Sequence, residues 1–200
     1  TLSQGIPRNL LMLLKHIYRR SLFAGEKPFE GGKISKQSQT DGIKDGAQWF
    51  WEDAQPEVNA ASVRMSVEAL ARLFRTVRFS ARPSEPSLSS FSILESELTE
   101  DARKTLKTAE NWSYLIHIPH SGSDKNTEAR RDKYQLVPML APKWDVSHTR
   151  RGTIELNSDF SNAILDGDRR TNLARLFKER TDPMLENGIF KDDSSQEVLL

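Results

Sequence analysis

The segment from Ala60 to Phe79 constrains the fold most strongly, because its apolar residues alternate at spacings of four and three. This period places them on one face of an α-helix, as expected for a helix that packs against a core. The apolar positions are Val63, Val67, Leu70, Phe74 and Val77. The opposite face is predicted to be basic, since it carries one acid, Glu68, against Arg64, Arg72, Arg75 and Arg78.

The composition is that of a folded globular protein, with 36% hydrophobic and 28% charged residues. Its 200 residues suffice for one well-buried domain or two small ones. The formal net charge is only +1, so a basic surface for nucleic acid has to be sought locally. The chain contains no cysteine, which excludes disulfides, thiol catalysis and cysteine-ligated zinc.

A first helix is predicted over residues 8–24. Its apolar residues on one helical face are Leu10, Leu14, Ile17, Tyr18 and Leu22. Basic residues interrupt the apolar run, which is too short to span a bilayer, so no membrane partner is predicted. The interrupting residues are Lys15, His16, Arg19 and Arg20.

A second helix is predicted from Ser35, as the N-cap, to about residue 55. Gly42 and Gly46 each lower its intrinsic stability by roughly 1 kcal/mol relative to Ala, so tertiary packing must hold it. The aromatic cluster of residues 49–51, Trp-Phe-Trp, is predicted to supply that packing as part of the core.

The region after residue 87 is predicted to alternate between strands and helices. A strand at 88–94, a helix from Ser96 or Thr99 to 111, and strands at 114–118 and 133–140 follow one another. The last two strands enclose fourteen polar residues, which predicts a hairpin with a long tip. A strand at 153–156 and helical patterns at 159–165 and 169–180 complete the chain. The predicted class is α+β: mainly α with a small β-hairpin.

The order helix, strand, helix and hairpin resembles a winged helix. Only one clear helix lies between the first strand and the hairpin, where a winged helix has two. A short helical turn near Leu94 to Leu98 is the candidate for the second.

Basic residues of this module are candidates for binding the phosphates of duplex DNA. Those on its helix are Arg103, Lys104 and Lys107, and those in or beside the hairpin tip are Lys125, Arg130, Arg131 and Lys133. Acidic residues dilute both groups, so a solvated loop without a partner is the alternative for the tip.

No motif for catalysis is found in the sequence. The chain has no Gly-x-x-x-x-Gly-Lys-Ser/Thr loop, so ATP hydrolysis by this chain alone is not expected. The four histidines do not form a metal set at zinc-binding spacing; they are His16, His117, His120 and His148. We therefore predict neither a catalytic residue nor a bound metal.

The segment Gly5-Ile-Pro7-Arg8 opens the first helix, and Pro7 suits the first helical position. It resembles the sensor-2 Gly-x-Pro-Arg motif of AAA+ ATPases, and more closely that of bacterial ATPases related to origin-recognition and initiator-loading proteins. The resemblance implies the C-terminal region of such a P-loop ATPase, in which ATP is bound mainly by residues outside this chain. Arg8 is then a nucleotide-sensing residue of the helical lid.

The resemblance also implies a domain organisation and partners. Residues 1–56 are a helical lid-like bundle, 57–150 a winged-helix-like domain and 151–200 a partly helical C-terminal extension. The implied partners are duplex DNA and the ATPase core or neighbouring subunits, in the cytoplasm. The arginine face of the third helix is the candidate interface with the core or with another subunit.

The sequence is compatible with one alternative function. In this alternative, the winged-helix-like module is a protein-interaction or autoinhibitory element of a switch ATPase in signalling or defence, and it docks on the ATPase core or on a partner.

Overall fold

The computed structural model describes residue 2 and residues 6–53, 60–80, 89–118, 131–146, 153–170 and 173–176. Its helices are α1 Pro7–Phe23, α2 Lys36–Asp53, α3 Ala60–Ser80, α4 Glu100–Asn111 and α5 Ser158–Leu165. Its strands are β1 Ser90–Ile93, β2 Leu115–Ile118, β3 Asp132–Leu136 and β4 Thr153–Glu155. Single 3-10 turns span Pro28–Glu30, Glu95–Glu97 and Ala141–Trp144. The mainly helical α+β class is confirmed.

One four-stranded sheet has the order β2-β3-β1-β4. Strands β2 and β3 pair antiparallel, with Leu115 opposite Leu136, which confirms the predicted hairpin. Strand β1 pairs antiparallel with β3 and parallel with β4. The sheet thus includes a strand from beyond residue 150, while the division of the chain at 56 and 150 stays a prediction.

Helix α3 lies at the centre of the core. Four of its five predicted apolar positions, Val63, Val67, Leu70 and Phe74, are fully buried, and the side chain of Val77 lies outside the described residues. The buried cluster is continuous from Met12 in α1 to Leu165 in α5. The spacing of four and three therefore identified the buried face of a helix that packs against α4, α5 and β3.

Hydrogen bonds among two serines and a glutamate hold the start of α2. The Ser38 backbone N–H donates to Ser35 Oγ at 3.1 Å, so Ser35 is the N-cap as predicted. The Ser38 hydroxyl donates to Glu26 Oε1 at 2.9 Å, and the Ser35 backbone N–H donates to the same carboxylate. Of the predicted core aromatics, Trp51 is buried, and Trp49 and Phe50 are half-buried against the core.

Helix α1 packs on a different face from the apolar face of the sequence pattern. Its buried residues are Asn9, Met12, Leu13 and Ser21. Leu10, Leu14 and Leu22 are 48%, 52% and 50% exposed. The cause lies in α2, where a Cβ on Gly42 would stand 2.4 Å from Ile17 Cα. The backbones of α1 and α2 are in contact here, so the space between the two helices is too small for the leucine side chains of α1.

Between β1 and α4 the chain makes only the 3-10 turn Glu95–Glu97, where a winged helix would have a second helix. The winged-helix-like arrangement stays a prediction. Helix α5 clamps the junction, because the Thr99 backbone N–H donates to Asn162 Oδ1 and the Thr99 hydroxyl donates to Asp166 Oδ2, both at 2.8 Å. Asn162 Nδ2 also donates to the Glu97 carbonyl at 3.0 Å. The start of α4 is therefore held from a segment more than sixty residues later.

Among the helices that the structure describes, none combines the length and the apolar character needed to cross a bilayer.

The close contact at Gly42 predicts that a single added methyl group at this position destabilises the protein. We expect Gly42→Ala to lower the free energy of unfolding by about 1–3 kcal/mol, because Ile17 backbone atoms must move. Gly46→Ala is the matched control, since its Cβ would meet the flexible end of Leu13 at 3.1 Å and it gains helix propensity. Urea unfolding measures both; equal stability of the two variants would contradict the packing described.

Candidate nucleic-acid interface and nucleotide-sensing arginine

Arg8 lies on the surface at the start of α1, where Pro7 occupies the first turn and no side chain caps the helix. Its Nη2 donates to Asp53 Oδ2, at the last residue of α2, at 2.9 Å. The guanidinium carbon is 6.0 Å from the ring centroid of Trp49. The Arg8 side chain is 74% exposed, so it is open to a ligand from outside. Gly5 of the same motif lies outside the described residues.

An open cleft of about 370 Å³ lies between α1 and α2, and Trp49 is one of its walls. Arg20 donates twice to Asp45 across these helices, from Nε at 2.5 Å and from Nη2 at 2.7 Å. These hydrogen bonds hold the pKa of Asp45 below its usual range, and burial lowers the pKa of His16 beside it. The pairing of Arg20 with Asp45 was missed at the level of sequence, where nothing indicates which helix faces meet.

Helix α4 separates its basic residues into two roles. Lys104 and Lys107 are exposed, on the side away from the buried Ala102 and Leu106. Arg103 instead turns back to the 3-10 turn that precedes α4, where Nε donates to the Glu95 carbonyl at 3.0 Å and Nη2 to the Ser96 carbonyl at 3.3 Å. The two lysines are thus available to a ligand, whereas the arginine holds the turn.

The basic residues of the hairpin divide in the same way. Arg131 Nη2 donates to the carbonyls of Ser92 at 3.1 Å and Leu156 at 2.6 Å, and its Nε donates to Ser92 Oγ at 3.3 Å. The guanidinium joins the ends of β1 and β4 and so has a structural role. Lys133 is half-buried on β3, and Lys125 and Arg130 lie outside the described residues.

A polar cluster lies where β2 ends and β3 begins. The Tyr134 hydroxyl donates to Glu95 Oε1, and His117 Nε2 lies 3.5 Å from Asp132 Oδ1. Burial, followed by the hydrogen bond to Glu95, raises the pKa of the Tyr134 hydroxyl. Tyr134 therefore stays neutral at physiological pH, and it links the strand to the turn that precedes α4.

The arginines of α3 are not equivalent. The Arg64 guanidinium lies 4.5 Å from the ring centroid of Trp51 and is half-buried, so it covers the edge of the core. Arg72 and Arg75 are exposed, and the side chain of Arg78 lies outside the described residues. The predicted interface therefore retains two exposed arginines in the described part of the chain.

No three His, Asp or Glu side chains come together at metal-binding distances within the described residues. His16 lines the α1–α2 cleft, and His117 faces Asp132. His120 and His148 lie outside the described residues.

The family model described as ORC-CDC6-like matches the chain over residues 1–156. This range is consistent with the C-terminal region of an origin-recognition-like AAA+ ATPase. No curated protein and no solved structure matches the chain. The match begins before Arg8 and ends after β4, so it includes every candidate residue named above.

Because Arg131 donates to backbone carbonyls, its removal should destabilise the protein more than removal of an exposed lysine does. We expect Arg131→Ala to lower the free energy of unfolding by about 1–3 kcal/mol, because the buried Leu156 carbonyl loses this donor while the Ser92 carbonyl keeps only the Leu156 N–H. Lys104→Ala, the control, should stay within about 0.5 kcal/mol. Urea denaturation compares them, and an unchanged midpoint for Arg131→Ala would show that its hydrogen bonds do not stabilise the sheet.

Proposed function

Since this chain belongs to the ORC-CDC6-like family and is an AAA+ ATPase-related region, we propose that it binds duplex DNA and responds to a nucleotide held elsewhere in its parent protein. DNA binding is assigned to the α4–hairpin module, and nucleotide sensing to Arg8. The observation that carries the DNA role is the exposed pair Lys104 and Lys107 on α4, a helix that leads directly into the β2–β3 hairpin.

The geometry around α4 supports a winged-helix mode of binding. A recognition helix has to be held rigidly while one face stays open. The Thr99 clamp from α5 and the Arg103 contacts to the preceding turn hold α4, and its lysines point away from the core. The sheet order places β3 between β2 and β1, so the hairpin extends from a sheet packed beneath the same helix.

The charge available for phosphate is modest. Arg103 and Arg131 are engaged with backbone carbonyls, which leaves Lys104, Lys107 and Lys133 among the described candidates. Contacts to about three phosphates give affinity that is moderate and strongly weakened by salt. This arrangement favours binding to the DNA backbone over reading of bases.

Binding of a short fluorescent duplex at several salt concentrations tests the DNA role. Three phosphate contacts predict a log–log slope of affinity against salt of about −2.7. The double variant Lys104→Glu/Lys107→Glu should abolish binding, because repulsion of the phosphates replaces both contacts. The double variant Arg72→Glu/Arg75→Glu on α3 should leave DNA binding unchanged. Fluorescence anisotropy provides the readout.

The same pair of variants decides between this proposal and its alternative. If the α3 variant loses self-association or partner binding, and no duplex binds even at low salt, the module is a protein-interaction element. This alternative is supported by Arg72 and Arg75, which are exposed on α3 and could contact a protein partner.

Nucleotide sensing is assigned to Arg8 because its present partner is easily replaced. The ion pair with Asp53 is exposed on both sides, and such pairs contribute only about 0–1 kcal/mol. A terminal phosphate of ATP, bound by residues outside this chain, offers more charge and more acceptor oxygens than one carboxylate. Asp53 and the Trp49 ring keep the guanidinium near the end of α2 until that phosphate arrives.

The Arg8 assignment is tested in the full-length native polypeptide by single-turnover ATP hydrolysis. Removing a cation that stabilises transition-state charge predicts a loss in rate of about 10²-fold for Arg8→Ala. Asp53→Asn is the matched control, which releases Arg8 without removing it and should leave the rate within a few-fold. An undiminished rate in Arg8→Ala, or a native polypeptide without ATPase activity, would reject the sensing role.

A further inference from the structure

The outward face of α1 is apolar, and its orientation is held in place. This face, here called the α1 stripe, consists of Leu10, Leu11, Leu14, Tyr18 and Leu22, which fall within about 120° of the helix at 100° per residue. The backbone contact at Gly42 leaves no room for these side chains between α1 and α2, and the Arg20–Asp45 pair joins the two helices in this orientation. Exposure of the leucines is therefore a fixed property of the fold.

The stripe is a larger apolar surface than single exposed residues would make. Leu11 is 67% exposed, and Phe29, which packs edge-on against Tyr18 at 4.7 Å between ring centroids, is 83% exposed. Contiguous patches of this kind on a folded protein mark sites of interaction. The four-residue and three-residue spacings within the stripe match the ridge on which a second helix packs.

Charge along α1 selects the partner. Helix α1 contains no carboxylate. Arg8, Lys15 and Arg19 are all exposed and lie within about 40° of one another, along one edge of the stripe only. Lys15 and Arg19 form no ion pair with any residue that the structure describes. A second copy packing through the same stripe would bring like charges together, which opposes self-association.

We propose that the α1 stripe is the docking surface for an acidic amphipathic helix of a protein partner. Its leucines pack on Leu10, Leu11, Leu14 and Leu22, and a row of carboxylates along one edge pairs with Lys15 and Arg19. The geometry is that of an antiparallel or parallel helix pair in which edge charges set the choice of partner. This inference does not depend on DNA binding.

The probe is a synthetic helical peptide of roughly 18 residues, long enough to match α1 at 1.5 Å per residue. It carries leucines at helical spacing and glutamates along one edge, and its twin carries lysines in place of those glutamates. The wild-type chain should bind the glutamate peptide, with the lysine peptide weaker by roughly tenfold, as expected when two ion pairs at the rim are replaced by repulsion.

Two variants of the chain sharpen the test. Leu11→Gln/Leu14→Gln should lose the peptide, whereas Met65→Gln, at a methionine on α3 that is 53% exposed, should not. Lys15→Glu/Arg19→Glu should invert the preference and bind the lysine peptide. Circular dichroism and thermal unfolding confirm that the surface variants stay folded.

Several results would overturn the inference. Equal binding of the two peptides would show that the charged edge does not select the partner. Binding of neither peptide would show that the stripe does not bind such a helix. Self-association of the wild-type chain that Leu11→Gln/Leu14→Gln abolishes would make a second copy the occupant. Recruitment to phosphatidylglycerol vesicles through the same leucines, without peptide binding, would make it a membrane surface.

Discussion

The contact between α1 and α2 at Gly42 is the constraint on which the functional surfaces of this protein depend. A side chain at this position would collide with the backbone of Ile17, so the two helices approach more closely than helices with ordinary side chains at their contact. This approach sets the rotation of α1, which then places Arg8 beside Asp53 and directs the leucines outward. One glycine thus positions the candidate sensor and exposes the candidate docking stripe.

Helix α2 also connects α1 to the rest of the core. Trp51 is buried between α3 and the segments that flank the hairpin, with Tyr114 at 5.2 Å and Trp144 at 5.0 Å between ring centroids. Arg64 covers the ring, and Lys143 donates to Gln48 of α2 at 2.5 Å. Any displacement of α1 would reach the α4–hairpin module through these contacts, because close-packed interiors transmit displacement.

The cations of this chain illustrate how tertiary contacts divide residues that look alike in sequence. Arg103 and Arg131 donate to backbone carbonyls, and Arg170 donates to Ser62 and Ser66 of α3. Burial lowers the pKa of Arg170, but the group stays charged in the physiological range. Lys104 and Lys107, one residue and one turn from Arg103, keep their charge for a ligand. Planar guanidinium groups with several donors suit the structural positions, and single ammonium groups suit the exposed ones.

Periodicity and capping were enough to predict helices α1 to α5, the pairing of β2 with β3 and the buried face of α3, because hydrogen bonding and the hydrophobic pattern act over short separations. Ser35 is the N-cap of α2 as predicted, and Thr99, one of the two starts predicted for α4, is the N-cap of that helix. Which face of α1 is buried, and which arginines donate to backbone carbonyls, depends on long-range packing. The partners that decide these questions, Gly42 for Ile17, Asp45 for Arg20 and Leu156 for Arg131, lie about twenty-five residues away along the chain. No local pattern records which of many polar and apolar residues at that separation will meet, since the meeting is set by the packing of whole helices and strands.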